Sequence, residues 1–214
     1  MKELVVLVHG FFSSQKSMHY LEEHLPRQDF EIVSVNLPST FGSLGDCVKA
    51  FNSAVSPLLG DYSRIHFVGH SLGGLVIRKY LGLIRIPNLG HCIFIATPHH
   101  GTRIANILNR VPFFSRIIRP IPGLMTHKAY PNCHFGIHTR IGIIAGTRNG
   151  LLAGKLFLSR QSDGRVELES ARCVEPHELI TLPFHHKVIH KQAVVAAQVE
   201  AFLKNGRFIP QQAS

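Results

Sequence analysis

Residues 64–81 read RIHFVGHSLGGLVIRKYL, and the reading of this stretch decides the fold. An apolar run, IHFV, enters the hexapeptide GHSLGG at 69–74, and a second run, LVIRKYL, leaves it. That order predicts a strand, a sharp turn and a helix. In a Gly-x-Ser-x-Gly turn of this kind the serine sits at the apex, and Gly69 and Gly73 carry no side chain to block the backbone crossing on either side. Ser71 is thereby presented as an exposed nucleophile. The five-residue string is common by chance, and its weight comes from the flanking strand and helix.

A serine hydroxyl is a weak nucleophile at neutral pH, so the reading requires a histidine base, a carboxylate to orient it and donors for the oxyanion. In the chain order associated with this turn, the acid and then the histidine lie C-terminal to the serine. From Tyr62 through Ser162 there is no Asp or Glu at all. The next acid is Asp163, the only aspartate after Ser71. It sits in an Asp-Gly turn beyond the strand-like run RIGIIAG, where a loop carboxylate is needed. Glu167, Glu169, Glu175, Glu178 and Glu200 follow it. Glu167 and Glu169 alternate with Val166 and Leu168 and read as a solvated strand face. For the base, LPFHHKVIH offers His185, His186 and His190. Apolar spacing predicts the last helix over 188–203, which places His190 on a helix surface. Chemistry alone does not choose between His185 and His186. One oxyanion donor is the N–H of Leu72, the residue after the nucleophile, where the positive end of the helix dipole assists.

Strands are expected at 4–8, 31–35, 64–69, 91–96, 140–146 and 178–182, with helices at 15–25, 44–59, 72–83 and 188–203. The alternation predicts a parallel sheet covered on both faces, with right-handed crossovers. The continuous apolar strands LVVLV and CIFIA agree with burial on both sides. At 214 residues and 45% hydrophobic content, the chain suits one domain over 1–214.

Four stretches carry a resemblance over nearly the whole length: LVVLVHGFF, FVGHSLGG, IATPHHGTRIA, and SDGRVELES with LPFHHKVIHKQAVVAAQVEAFLKNGRF. Together they resemble the small bacterial lipases and esterases of the α/β-hydrolase fold. The resemblance implies a minimal form of that fold: a mostly parallel sheet of about six strands, helices on both faces and a short cap insertion. It also implies the absence of the two antiparallel strands that open larger relatives. Register against the final amphipathic helix and its FL-x-x-GRF ending places the catalytic histidine at His186. The Asp-Gly pair places the acid at Asp163. His9-Gly10-Phe11 resembles the family's His-Gly-x signature and implies Phe11 as the second oxyanion donor. The single-glycine form goes with medium or long acyl chains.

The cap is expected over about 102–139, where Phe113, Phe114, Ile117 and Ile118 form either an acyl-facing lid surface or a helix packed on the core. Prolines at 112, 120, 122 and 131 break it into short pieces. The net charge of +10 comes without a nucleic-acid motif, so nucleic acid is not expected as a partner. A basic, apolar cap suits peripheral contact with an anionic lipid surface, and the plainer reading is a solvated basic face. His134 and His138, and His186 and His190, have helical ligand spacing without the glutamate of an HExxH site. No metal and no cofactor are expected. Cysteines at 47, 92, 133 and 173 form no CxxC and predict no disulfide. The N-terminus shows no secretion signal, so a cytoplasmic location is expected.

Two classes of function follow. One is a serine hydrolase acting on carboxylic esters or lipids, with thioesterase and acyltransferase chemistry open to the same residues. The other is a non-catalytic lipid- or membrane-binding protein on the same scaffold.

Overall fold

The structure, a computed structural model, describes residues 2–102, 133–149 and 161–210. Six strands form one sheet: β1 (Glu3–Val8), β2 (Phe30–Val35), β3 (Ile65–His70), β4 (Leu89–Ile95), β5 (Ile141–Gly146) and β6 (Glu178–Leu182). Their order is β2-β1-β3-β4-β5-β6, and every neighbouring pair is parallel. The α helices among the described residues are α1 (His19–His24), α2 (Leu44–Val55), α3 (Leu72–Leu81), α4 (Leu168–Ala171) and α5 (Ala193–Asn205).

Strand period dictates how the sheet is buried. In β1, Leu4, Val6 and Val8 join one core with α2 and α3, while Val5 and Leu7 join the other with α1 and α5. Both faces are covered, so both sets are apolar and the strand reads as one continuous run. β4 repeats the pattern, with Cys92 and Phe94 on the α2–α3 side and Ile93 and Ile95 on the other. The start of α2 is written in the sequence as Ser43 and Asp46. The Ser43 hydroxyl accepts the Asp46 N–H at 3.1 Å, and Asp46 accepts the Ser43 N–H at 2.8 Å. This reciprocal pair satisfies two otherwise unbonded helix donors. At its far end α5 stops at Gly206, whose φ of +68° is the left-handed cap that glycine adopts without penalty.

The sheet agrees with the expected spans, and three helical details differ. Residues 15–18 form a 3-10 turn ahead of α1, and α2 gives way to a 3-10 turn at Ser56–Leu58 instead of continuing to 59. The last helix begins at Ala193 and not at 188, because a 3-10 turn at Ile189–Lys191 intervenes. That turn rotates Ile189 and His190 into the protein, where they are 0% and 3% exposed. His190 is therefore buried and not a helix-surface residue. Glu167 and Glu169 are not on a strand: Glu167 is the N-cap of α4 and Glu169 lies in its first turn. A four-residue helix leaves no room for the period-2 pattern that alternation suggested. Most of the expected cap, including Phe113, Phe114, Ile117 and Ile118, lies outside the described residues.

The topology fixes where a site can form. The chain leaves β1 toward β2 and returns to pair β3 against the other side of β1. Ligands in open α/β sheets bind at the carboxyl ends of the strands beside such a reversal. The segments leaving β1 and β3 there are HGF and GHSLGG.

Candidate active site

Ser71 has φ +54° and ψ −120°, outside the regions that L residues favour. Two glycines make this turn possible. A Cβ on Gly69 would stand 2.6 Å from the Gly74 backbone, and one on Gly73 would collide with the Val8 carbonyl. The turn therefore packs backbone to backbone, both on itself and on the end of β1. Its position on the sheet is held by the Ser71 N–H, which donates to the Ile95 carbonyl at 2.9 Å. The loop after β1 lies directly against the nucleophile, since a Cβ on Gly10 would come within 3.1 Å of the Ser71 Cβ.

His186 joins Ser71 to Asp163. Its Nε2 lies 2.9 Å from Ser71 Oγ, and its Nδ1 lies 2.7 Å from Asp163 Oδ2. The carboxylate can only accept, so Nδ1 carries the proton and Nε2 is left free to accept the serine hydroxyl. All three residues are buried, with Ser71 8%, His186 5% and Asp163 2% exposed. Asp163 is itself held in place. Its Oδ1 accepts the N–H groups of Arg165 at 2.9 Å and Val166 at 2.8 Å, and its carbonyl accepts the His186 N–H at 3.1 Å. Gly164, at φ +90°, supplies the turn that brings those two N–H groups back to the carboxylate. His185, the neighbour in sequence, takes no part in this chain of hydrogen bonds.

Two further histidines position the site, and the sequence reading assigned no role to either. His9 Nε2 accepts the Leu37 N–H at 2.9 Å, which leaves the proton on Nδ1 to donate to the Gly10 carbonyl at 2.9 Å. This pins the loop carrying Phe11 to the segment after β2. His70 donates from Nε2 to the His186 carbonyl at 3.1 Å and so ties the turn to the histidine loop. Both lie inside motifs already quoted, HGF and GHSLGG, and their adjacency to the glycines was the available signal. The N–H groups of Phe11 and Leu72 make no hydrogen bond among the described residues. A cavity of about 310 Å³ opens over Ser71 and His186, with Gly10, Phe11 and Phe12 in its wall.

A family model described as the alpha/beta hydrolase family matches residues 5–176. The chain belongs to the alpha/beta hydrolase family. Among solved structures, this hydrolase superposes on the mature lipase BlEst2 of Bacillus licheniformis with a TM-score of 0.76. The identity is 19%, over 97% of this chain and 93% of that one. The propeptide form gives a TM-score of 0.79 at 18% identity, over 100% of this chain and 52% of that one. An esterase from Thermogutta terrifontis gives 0.65 at 14% identity, over 97% and 91%. At these identities the likeness is one of fold. By sequence the hydrolase is similar to the lysosomal thioesterase PPT2 of Bos taurus, 28% identical over 104 residues. The match covers 45% of this chain and 34% of that protein, so the hydrolase spans about a third of this relative's length.

Burial also favours the neutral form of six histidines of the hydrolase. His9, His66, His70, His91, His99 and His190 are all pushed below the ordinary imidazole range, chiefly by desolvation, with His91 down to about 4 and His190 to about 3. In the unfolded chain these groups take up protons near pH 6.5. Between that pH and about 4 the unfolded state therefore binds more protons than the folded one, and stability falls as pH falls. Each histidine withdraws up to about 1.4 kcal/mol per pH unit in this window. Thermal melts should show a lower Tm at pH 5.0 than at pH 7.5, and an equal or higher Tm at pH 5.0 would contradict the burial argument.

Proposed function

We propose that this hydrolase cleaves carboxylic esters through an acyl-enzyme on Ser71. The observation that carries the reading is the unbroken hydrogen-bonded chain from Ser71 Oγ through His186 to Asp163, at 2.9 and 2.7 Å, opening into a cavity. The Ser71 oxygen attacks the acyl carbon while His186 Nε2 takes its proton. The carbonyl oxygen becomes an oxyanion, for which the N–H groups of Phe11 and Leu72 are the donors. Collapse breaks the ester bond, and His186 returns the proton to the leaving alcohol. Water then gives a proton to His186 and attacks the acyl-enzyme, releasing the acid and restoring the serine. Asp163 holds the Nδ1–H tautomer and stabilises the imidazolium throughout. No step calls on a metal or cofactor.

The positive φ of Ser71 supports catalysis over mere lipid binding. Strain of this kind persists where the surroundings enforce it, and here its result is a hydroxyl delivered to a histidine nitrogen inside a cavity. Thioester hydrolysis is the second reading, favoured by the likeness to the lysosomal thioesterase. The same attack and the same oxyanion serve both.

The test is kcat/KM over p-nitrophenyl esters from acetate to palmitate, with a short-chain thioester alongside. The expected result is saturable turnover of at least one ester. Absence of turnover across both series would contradict the proposal.

A further inference from the structure

The wall of the cavity over Ser71 also contains Arg165, Lys187, His190 and Lys191. These come from the turn that carries Asp163 and from the segment that carries His186. Among the described residues no carboxylate lines the cavity with them, and both oxygens of Asp163 are already taken. Arg165 is half-buried, and its guanidinium forms no ion pair among the described residues. Lys187 and Lys191 are exposed at the mouth. His190 is 3% exposed, yet neither ring nitrogen has a hydrogen-bond partner among the described residues. It stacks on His70 with ring centroids 3.9 Å apart, and His70 in turn lies 5.0 Å from the His186 ring. Both ring nitrogens are closed off, so His190 lines the wall without offering a donor, and the charge there comes from Arg165, Lys187 and Lys191.

Mechanism says which part of a substrate meets this wall. His186 Nε2 must hand its proton to the leaving oxygen, so the leaving group lies on the His186 side. Lys187, His190 and Lys191 flank His186 in its own segment. A guanidinium fork and two ammonium groups match the several oxygens of a phosphate better than a single carboxylate.

We propose that this cationic wall is a phosphate-binding subsite for the leaving group, so that the substrate is an acyl ester whose alcohol carries a phosphate a few bonds from the scissile oxygen. The proposal rests on the serine-hydrolase reading of Ser71.

Two measurements on the full chain at low ionic strength test it. The first is calorimetric titration with glycerol 3-phosphate, which needs no turnover. The second compares kcat/KM for 1-butyrylglycerol 3-phosphate with that for 1-butyrylglycerol. Glycerol 3-phosphate should bind, and the phosphate ester should be preferred by roughly tenfold, the worth of one charge-assisted hydrogen bond. Added salt should erode the preference. In the Arg165→Gln, Lys187→Gln double variant the preference should disappear. Lys187→Gln alone, at an exposed site, should weaken it without threatening the fold, and a thermal melt reports on each variant.

No binding and no preference, with the neutral ester turned over, would overturn the subsite and leave the hydrolase standing. Binding without turnover of either ester, and without labelling of Ser71 by a fluorophosphonate, would overturn the hydrolase reading and leave the subsite. A preference that survives in the double variant would overturn its placement. A preference for butyryl-CoA over butyryl-N-acetylcysteamine, with none between the glycerol esters, would put the phosphate far from the scissile bond and overturn the proposal as stated.

Discussion

Replacing His186 by Ala should lower kcat by roughly 10⁶-fold, the loss that follows removal of a nucleophile or base from a triad. The neighbouring His185→Ala should keep most of the parent activity. The two residues differ by one position but not by environment alone. His186 Nε2 and Nδ1 are both committed, to Ser71 Oγ at 2.9 Å and to Asp163 Oδ2 at 2.7 Å. His185 contributes its backbone carbonyl, which accepts the N–H groups of Val188 and Ile189. Alanine preserves that carbonyl, so the turn after His186 should stay intact in His185→Ala. The measurement is kcat on p-nitrophenyl butyrate for both variants, with a thermal melt for each. A collapse of His185→Ala alongside an active His186→Ala would overturn the assignment of the base.

Asp163→Asn should cost roughly 10⁴-fold in kcat, the loss expected when the orienting carboxylate becomes an amide. Asp163 accepts three hydrogen bonds with two oxygens: the Arg165 and Val166 N–H groups on Oδ1, and His186 on Oδ2. An asparagine has one oxygen. If that oxygen keeps the two backbone N–H groups, the NH₂ faces His186 and forces its proton from Nδ1 to Nε2. His186 then can no longer accept the serine hydroxyl. If the amide turns the other way, its NH₂ meets two backbone donors and the turn is destabilised. Glu167→Gln and Glu169→Gln are the comparisons. Glu167 is the N-cap residue of α4 with no side-chain capping bond, and Glu169 is largely exposed and pairs with Arg172 at 3.7 Å. Both ring nitrogens of His186 are taken by Ser71 and Asp163, so both variants should stay close to the parent. An Asp163→Asn enzyme of near-parent activity beside an inactive, folded glutamine variant would show the acid to be a glutamate.

The parallel sheet was legible because strands buried on both faces are apolar without interruption, as in LVVLV and CIFIA, and Gly and Pro punctuate them. Asp163 was legible for a different reason. A stretch of 101 residues without a carboxylate, from 62 to 162, left few acids downstream, and only one of them sat in an Asp-Gly turn. The choice of His186 over His185 was not legible from chemistry. It came from register against the final helix, and the start of that helix was misread by five residues, from 188 to 193. The register survived because it was counted from Phe202, which is fully buried in α5, and not from the helix start. His190 was lost in the same misreading. Periodicity does not distinguish a 3-10 turn followed by a helix from one continuous helix when both bury the same side. His9 and His70 were hidden for another reason. Their roles depend on hydrogen bonds to Leu37 and His186, 28 and 116 residues away, which no local pattern encodes.

The central claim is that Ser71 is a nucleophile activated by His186, and covalent labelling tests it without knowledge of the substrate. A fluorophosphonate reacts with a serine whose hydroxyl is deprotonated on attack by a neighbouring base, and not with ordinary hydroxyls. The measurement is intact mass after exposure to the probe, followed by peptide mapping, on the parent, Ser71→Ala and His186→Ala. The account predicts one adduct per chain, located on Ser71, and no adduct in either variant. An unlabelled parent, or labelling that persists in Ser71→Ala, would contradict it.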